Sequence, residues 1–229
     1  MNIVIVYKAG KKFSSEDVIK LTKRLQGHNV YVLTDVPEDP DLQHLFLLPL
    51  DNQRAWGNWW AKMNLFSPEM EYLRPFLYMD LDMAMVGDVS LLEQAIPDKS
   101  KIVFTEDFYQ QNGLLSSSLI WVPEDNDKVR QIWETWQRNS YPVQLSKRMD
   151  YFLRQCIDPD YLWQNIVNGV YSFKQSPSGH DWLTELPEDA LIVDFHGNPT
   201  ISEAAETVGW VNAYWYEENN YIHSYHEPV

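Results

Sequence analysis

The stretch that most constrains this chain is residues 76–92, Phe76-Leu77-Tyr78-Met79-Asp80-Leu81-Asp82-Met83-Ala84-Met85-Val86-Gly87-Asp88-Val89-Ser90-Leu91-Leu92. Four apolar or aromatic residues run straight into an Asp-x-Asp pair. In a strand, alternate side chains share a face, so Asp80 and Asp82 point one way and Leu81 the other. Carboxylates that close repel each other unless a positive charge lies between them. A pair of this kind at a strand end suits a hard divalent cation, Mg²⁺ or Mn²⁺. Ser90-Leu91-Leu92-Glu93 reads as a capping box that opens a short helix. A buried strand ending in acids and a loop puts those acids at the rim of a sheet, where open α/β sheets bind ligands. In a chain with 33 acidic residues among 229, an isolated Asp-x-Asp is more commonly a solvated turn. The run Phe76–Met79 is what favours a strand end here.

Composition narrows the class. A chain of 229 residues is long enough for one sizeable domain. Apolar residues make up 45% and aromatics 14%, which indicates a packed globule. Ten tryptophans and thirteen tyrosines exceed the needs of one core, so some are expected to line a binding surface. The net charge of −15 argues against nucleic-acid or anionic-membrane partners. It leaves a nucleotide substrate open, because a bound cation reverses the local sign. The single cysteine, Cys156, excludes an internal disulfide and fits a reducing compartment. Met1–Tyr7 lacks the pattern of a signal peptide, and no apolar run is long enough to span a membrane. The expectation is a soluble, cytoplasmic protein.

Along the chain, strand and helix patterns alternate. Asn2–Tyr7 reads as a strand, and Ser14 caps a helix with Val18, Leu21 and Leu25 at helical spacing; Gly27 stops it. Val30–Thr34 gives the second strand of a βαβ opening, and His44–Leu50 a third. Trp56–Phe66 looks helical, with Trp56, Trp59, Trp60, Met63 and Phe66 on one broad core face and Lys62 off it, within reach of an anion. Strands follow at Lys101–Phe104 and Ser116–Val122, and helices at Asp127–Asn139, Lys147–Gln155 and Asp160–Val167, the last two broken at Asp158-Pro159. Leu191–Phe195 is the last strand, and Ser202 starts a helix running to about Tyr216. There is no internal repeat or linker. The reading is a single α/β domain, with a nucleotide-binding half over 1–104, an acceptor-side half over 105–216 and a tail over 217–229.

His196 ends the last strand as Asp82 ends an earlier one. If those strands are neighbours, His196 completes a site with the two aspartates; otherwise it is an ordinary surface histidine. Gly197 beside it lets backbone approach a ligand closely. Imidazole with carboxylates suits Mn²⁺ better than Ca²⁺.

With these residues in view, the chain resembles the GT-A-fold glycosyltransferases, in particular the glycogenin and lipopolysaccharide-galactosyltransferase-like group of bacterial or phage type. Tyr78-Met79-Asp80-Leu81-Asp82 followed by Val86-Gly87-Asp88-Val89-Ser90 is similar to that group's Asp-x-Asp segment. Trp59–Phe66 resembles the helix before it. The stretch from Asn112-Gly113 to Trp121-Val122-Pro123 resembles the acceptor-side strand. Phe195-His196-Gly197-Asn198-Pro199, with Trp210-Val211 and Trp215, looks like the C-terminal signature. The resemblance implies a mixed, mostly parallel sheet flanked by helices. It also implies a nucleotide-sugar donor, UDP-linked by default, with Mn²⁺ (or Mg²⁺) held by Asp80, Asp82 and His196. Val6, Tyr7 and Lys8 would seat the base and ribose, with Lys62, Asp80 and Gly197 also on the donor. Asn112, Gly113, Trp163 and Gln164 are the acceptor-side candidates, for a glycan, a lipid-linked saccharide or a protein acceptor. Two departures stand out. Thr200 and Ile201 follow Pro199 where the group often carries Lys-Pro, and Asp160-Tyr161-Leu162-Trp163-Gln164 is only distantly like its Asp-Gln motif. No residue is identified as a general base.

Two other readings compete. A haloacid-dehalogenase-type phosphohydrolase also carries a hydrophobic strand before Asp-x-Asp, with Asp80 as nucleophile and Asp82 as acid/base. That motif normally lies near the N-terminus and continues into Thr or Val, where Ala84 stands here. The other is a GT-A-like domain that binds sugars or a partner without turnover.

Overall fold

The computed structural model describes residues 1–10, 12–50, 58–109, 115–138, 149–178 and 180–217. Strand β1 (Asn2–Tyr7) is apolar on both faces, with Ile3, Val4 and Ile5 fully buried. Such a strand belongs in the middle of a sheet covered on two sides. Helix α1 (Ser15–Lys23) follows, and Asp17 Oδ2 accepts a 2.7 Å hydrogen bond from the backbone N–H of Ser14 at its start. After Gly27, at φ +87°, the chain returns as β2 (Asn29–Thr34), parallel to β1. Strand β3 (Phe46–Pro49) adds a parallel edge.

Residues 58–66 form a 3₁₀ rather than an α-helix. Its three-residue repeat stacks Trp60, Met63 and Phe66 on one side, all buried. Trp56 and the side chain of Trp59 lie outside the described residues. Strand β4 (Phe76–Met79), fully buried, carries the apolar run into the acidic pair and lies parallel to β1. Strand β5 (Met83–Met85) leaves that sheet. Helix α2 (Ser90–Ala95) starts at Ser90 itself, so the capping box expected from Ser90 and Glu93 is not formed. Asp88 does that work, its Oδ1 accepting from Ser90 N at 2.8 Å and Ser90 Oγ at 2.6 Å, while Glu93 pairs with Lys99.

The remaining strands of the main sheet are β6 (Val103–Glu106) and β7 (Leu115–Val122), which is antiparallel to β4 and β6. Helices α3 (Asp127–Arg138) and α4 (Met149–Cys156) cover one face. Residues 160–167, expected to be one helix, split into the two-residue strand β8 (Tyr161–Leu162), parallel to β6, and one turn of helix α5 (Trp163–Ile166). Strands β9 (Val170–Ser172) and β10 (Ile192–Asp194) join β5 in a small second sheet, order β5-β10-β9. Helices α6 (Ile201–Ala204) and α7 (Gly209–Tyr216) replace the single long helix expected there. Thr200, not Ser202, is the cap, with its side chain accepting from Glu203 N and Glu203 reaching back to Thr200 N.

Among the described residues the main sheet runs β3-β2-β1-β4-β7-β6-β8, mixed and mostly parallel. Its two faces carry separate cores: Val4, Tyr78 and Ile120 on one side with Trp60, Trp136 and Phe152; Ile3, Ile5, Leu77 and Trp121 on the other with Val18 and Leu92. That alternation is the period of two expected of strands. A third core, around Phe173, Phe195 and Trp210, fastens the small sheet to α6 and α7. No helix among the described residues is long and apolar enough to cross a membrane.

Candidate functional site at the rim between two sheets

The main sheet delivers Asp80. Its backbone N–H donates to Ser118 O at 2.8 Å, continuing the β4–β7 ladder one residue beyond the strand. Its carboxylate is held on both oxygens: Lys62 Nζ donates to Oδ2 at 2.6 Å, and the Tyr78 hydroxyl donates to Oδ1. Lys62 is buried, and also donates to Ser117 O and Oγ at 3.3 Å each. Burial, opposed by Lys62 and reinforced by the charge of Asp82, pushes the Asp80 carboxyl up to about 7. Burial works against the Lys62 ammonium too, but Asp80 outweighs it and holds that ammonium protonated.

Asp82 is brought to the same place by the small sheet. Met83 faces Asp194 across the antiparallel β5–β10 pair, and Phe195 N donates to Asp82 O at 2.9 Å. The neighbour expected from the sequence is the strand that runs into the acidic pair, but β4 pairs with β1 and β7; the strand beside β10 is β5, which begins just after Asp82, and it is this pairing that sets His196 near Asp82. The Asp82 carboxylate receives Lys12 Nζ at 2.7 Å. His196 turns its Nε2 to Ser172 Oγ at 2.8 Å and stacks on Phe108, with Tyr109 edge-on. Gly197 follows at φ +99°, a conformation that favours glycine.

These side chains share a cleft of about 910 Å³. Val6, Lys8, Lys62, Asp80, Asp82, His196 and Gly197 all line it. Tyr7 does not: the period of two turns it into the core between Val6 and Lys8. Trp163 and Gln164 are not brought to the cleft either. Trp163 is fully buried with its indole N–H on Leu119 O, and Gln164 closes on the backbone of Glu106 at 3.0 and 2.9 Å. Asn112 and Gly113 lie outside the described residues. Among the described residues the aromatic lining is Phe13, Tyr78 and Tyr109 with His196; the described tryptophan side chains pack in or against the cores instead.

Three groups were missed by sequence reasoning. Asp194 precedes His196 by two, a spacing that places both on one side of a strand, and this was a legible signal. It is 1% exposed; Oδ1 accepts from His196 N at 2.9 Å, while Oδ2 accepts no hydrogen bond from a described residue. Burial, then the charge of Asp82, raises its carboxyl to about 7. Lys12 and Lys174 come from loops whose course no local pattern reveals. Lys174 Nζ donates to His196 O at 2.8 Å.

The donor set suits a hard divalent cation in chemistry, with carboxylates and an imidazole on one rim and the Lys12 ammonium standing in as the cation on Asp82. It is not drawn together: among the described residues no three His, Cys, Asp or Glu side chains are close enough to share one ion.

No protein-family model matches the chain, and no curated protein sequence matches it. Solved structures do. An active-site mutant of LgtC superposes with a TM-score of 0.55 at 10% identity, covering 93% of this chain and 94% of its own. The glycosyltransferase GlyE of Streptococcus pneumoniae gives a TM-score of 0.64 at 13% identity over 93% of this chain, which spans 59% of GlyE. The bifunctional glycosyltransferase WbbM gives 0.56 at 9% identity, this chain spanning 50% of its length. The chain has the GT-A-like fold of these glycosyltransferases.

Proposed function

We propose that the protein is a glycosyltransferase that moves a sugar, a hexose by default, from a nucleoside-diphosphate donor, UDP-linked, to a hydroxyl of a glycan, lipid-linked saccharide or protein. One observation carries the reading. The β5–β10 pair brings the Asp-x-Asp carboxylates and the His196-Gly197 turn to one cleft, in a chain with the fold of glycosyltransferases.

In such a transfer the bond between the anomeric carbon and the phosphate oxygen breaks, and the nucleoside diphosphate leaves with the electron pair. A bond from the acceptor oxygen to that carbon forms, and the acceptor's proton is lost. The expensive part is charge growing on the leaving diphosphate. Mn²⁺ or Mg²⁺ would supply positive charge there if Asp80, Asp82 and His196, which are not drawn together here, closed around it. The chain's own groups do the rest. Lys62 and Tyr78 fix the Asp80 carboxylate in one orientation from opposite sides. Val6 and Lys8 form the cleft wall against which a base and ribose fit, and Gly197 leaves its backbone open to the donor.

The test is a thermal-shift screen of UDP, GDP, ADP and CMP, each with and without Mn²⁺. A ligand at 100 times its dissociation constant that binds only the folded state adds about 2.7 kcal/mol. The expected result is stabilisation by one nucleoside diphosphate in the presence of Mn²⁺, lost in Asp82→Asn. No response to any nucleotide overturns the donor assignment. One observation favours a binding domain without turnover: Asp80, Asp82 and His196 each already have a protein partner. Nucleotide binding with no sugar release to water or acceptor would select that reading.

A further inference from the structure

Lys174 lies between β9 and β10, in a bridge to Trp182 that holds its backbone in place. Its ammonium rests on the His196–Gly197 turn, donating to His196 O at 2.8 Å. A Cβ built on Gly197 would come within 3.1 Å of it. Gly197 lines the cleft, so the ammonium sits against the cleft's bare backbone. The chain carries 33 acidic and 18 basic side chains, yet Lys174 has no ion pair among the described residues, and its side chain's one hydrogen bond goes to a carbonyl. A half-buried ammonium satisfied on one of its three donors is poised for an anion.

Lys12 comes from a different loop, between β1 and α1. It reaches Asp82 across the same rim at 2.7 Å, with its side chain 42% exposed. An exposed lysine on a single carboxylate exchanges partners at little cost. Phe195 N donates to Asp82 O at 2.9 Å, so the residue that Lys12 holds lies beside the turn on which Lys174 rests. The two cations therefore reach the same part of the rim. Lys12 lines the cleft and Lys174 stands against its Gly197 wall; like charges on one rim repel, and an anion between them relieves the repulsion.

We infer that Lys12 and Lys174 form the seat of a diphosphate, gripping it from two loops over the Gly197 backbone. This rests on the nucleotide-sugar reading for the identity of the ligand, but the seat is testable without a nucleotide. In such a seat Lys174 meets the departing charge directly, and Lys12 turns from Asp82 to phosphate as the donor enters. Asp82 is thereby released to any cation that accompanies it.

The experiment is titration calorimetry with inorganic pyrophosphate in EDTA, on the full chain and on Lys174→Met, Lys174→Arg and Lys12→Met. The wild type is expected to bind pyrophosphate. Lys174→Met and Lys12→Met should each weaken that binding at least tenfold, with urea midpoints unchanged, and Lys174→Arg should recover most of it. UDP should be weakened in parallel, and uridine, which lacks phosphate, should not respond. Absence of pyrophosphate binding by the wild type overturns the seat. So does unchanged affinity in folded Lys174→Met; if that variant does not fold, unchanged affinity in Lys12→Met overturns it equally. Pyrophosphate binding lost in the variants, in a protein deaf to every nucleotide, would support the seat while overturning the nucleotide-sugar reading alone.

Discussion

The Lys62 ammonium and the Asp80 carboxylate stand 2.6 Å apart at the end of β4, Lys62 buried and Asp80 largely covered with an edge on the cleft. Removing one member of a buried pair costs more than the pair contributes, because the other charge is left without compensation. Lys62→Met is therefore expected to lose about 3–5 kcal/mol at pH 8. The loss should shrink as pH falls from 8 to about 7 and then level off, because without Lys62 the carboxyl takes up its proton at higher pH than in the wild type, where it sits at about 7. Urea unfolding at pH 8 and pH 5.5 measures both. Adding Asp80→Asn to Lys62→Met should recover part of the stability, a non-additivity that a double-mutant cycle reads directly.

Asp194 makes stability depend on pH in a defined direction. Its folded value is about 7 against an ordinary 3.8, so between these the folded state holds the proton more tightly than the unfolded one. Its contribution is fully present below about pH 4, declines as pH rises to 7, and is level above. Asp194→Asn is expected to remove that slope. In EDTA the variant should be more stable than wild type at pH 8 by roughly 1–4 kcal/mol, with the gap closing toward pH 4. A gap that widens on acidification would contradict the sign.

Two glycines test backbone strain against crowding. Gly27 has φ +87° and open space where a methyl group would stand; Gly169 has φ +95° and would place a Cβ 2.3 Å from Asp189 O. Gly27→Ala should cost about 1–2 kcal/mol, the left-handed penalty alone. Gly169→Ala must also displace backbone, so its loss should be at least twice as large. At this chain length each kcal/mol lowers Tm by about 2–4 °C, and calorimetry of the two variants gives the ratio.

Cys156 is buried at the end of α4, and burial pushes its thiol up to about 12. The thiolate is the reactive form. A chromogenic disulfide reagent at pH 8 is expected to leave the native protein untouched over hours and to react within seconds in 6 M guanidinium. Fast labelling of the native protein would show that α4 opens locally.

Where local pattern decides structure, the sequence is legible. Apolar runs placed β1, β2 and β4 to within a residue, and the Asp-x-Asp pair fell at the strand end and in the cleft. Lys62 shows where local reading stops. On an α-helix it falls off the aromatic face; in the 3₁₀ turn, enclosed on more than one side, it is buried and its anion is Asp80. Residues 160–167 have an apolar spacing compatible with a helix, but Ile102 O takes Tyr161 N, and an edge of the sheet claims Tyr161 and Leu162. Tertiary pairing overrode propensity there. Lys12 and Lys174 were illegible because their positions depend on where two loops meet, which no period in the chain records. His196 lay between these cases. Its candidacy hung on an adjacency to the strand ending in the acids; that strand, β4, lies elsewhere, and a different pairing, β5–β10, sets His196 near Asp82.

The β5–β10 pairing also gives an expected order of assembly. Every described strand of the main sheet lies within residues 2–162, so that sheet's pairing does not require β10. Asp82 joins the cleft only when Phe195 docks on its carbonyl, a closure over a long stretch of chain and therefore a late one. A growing chain would thus hold a paired sheet, with Asp80 already seated on Lys62, while still unable to bind at the rim. A ligand that needs both Asp82 and the Gly197 turn is expected to bind only once the chain has been made and folded at least through residue 197.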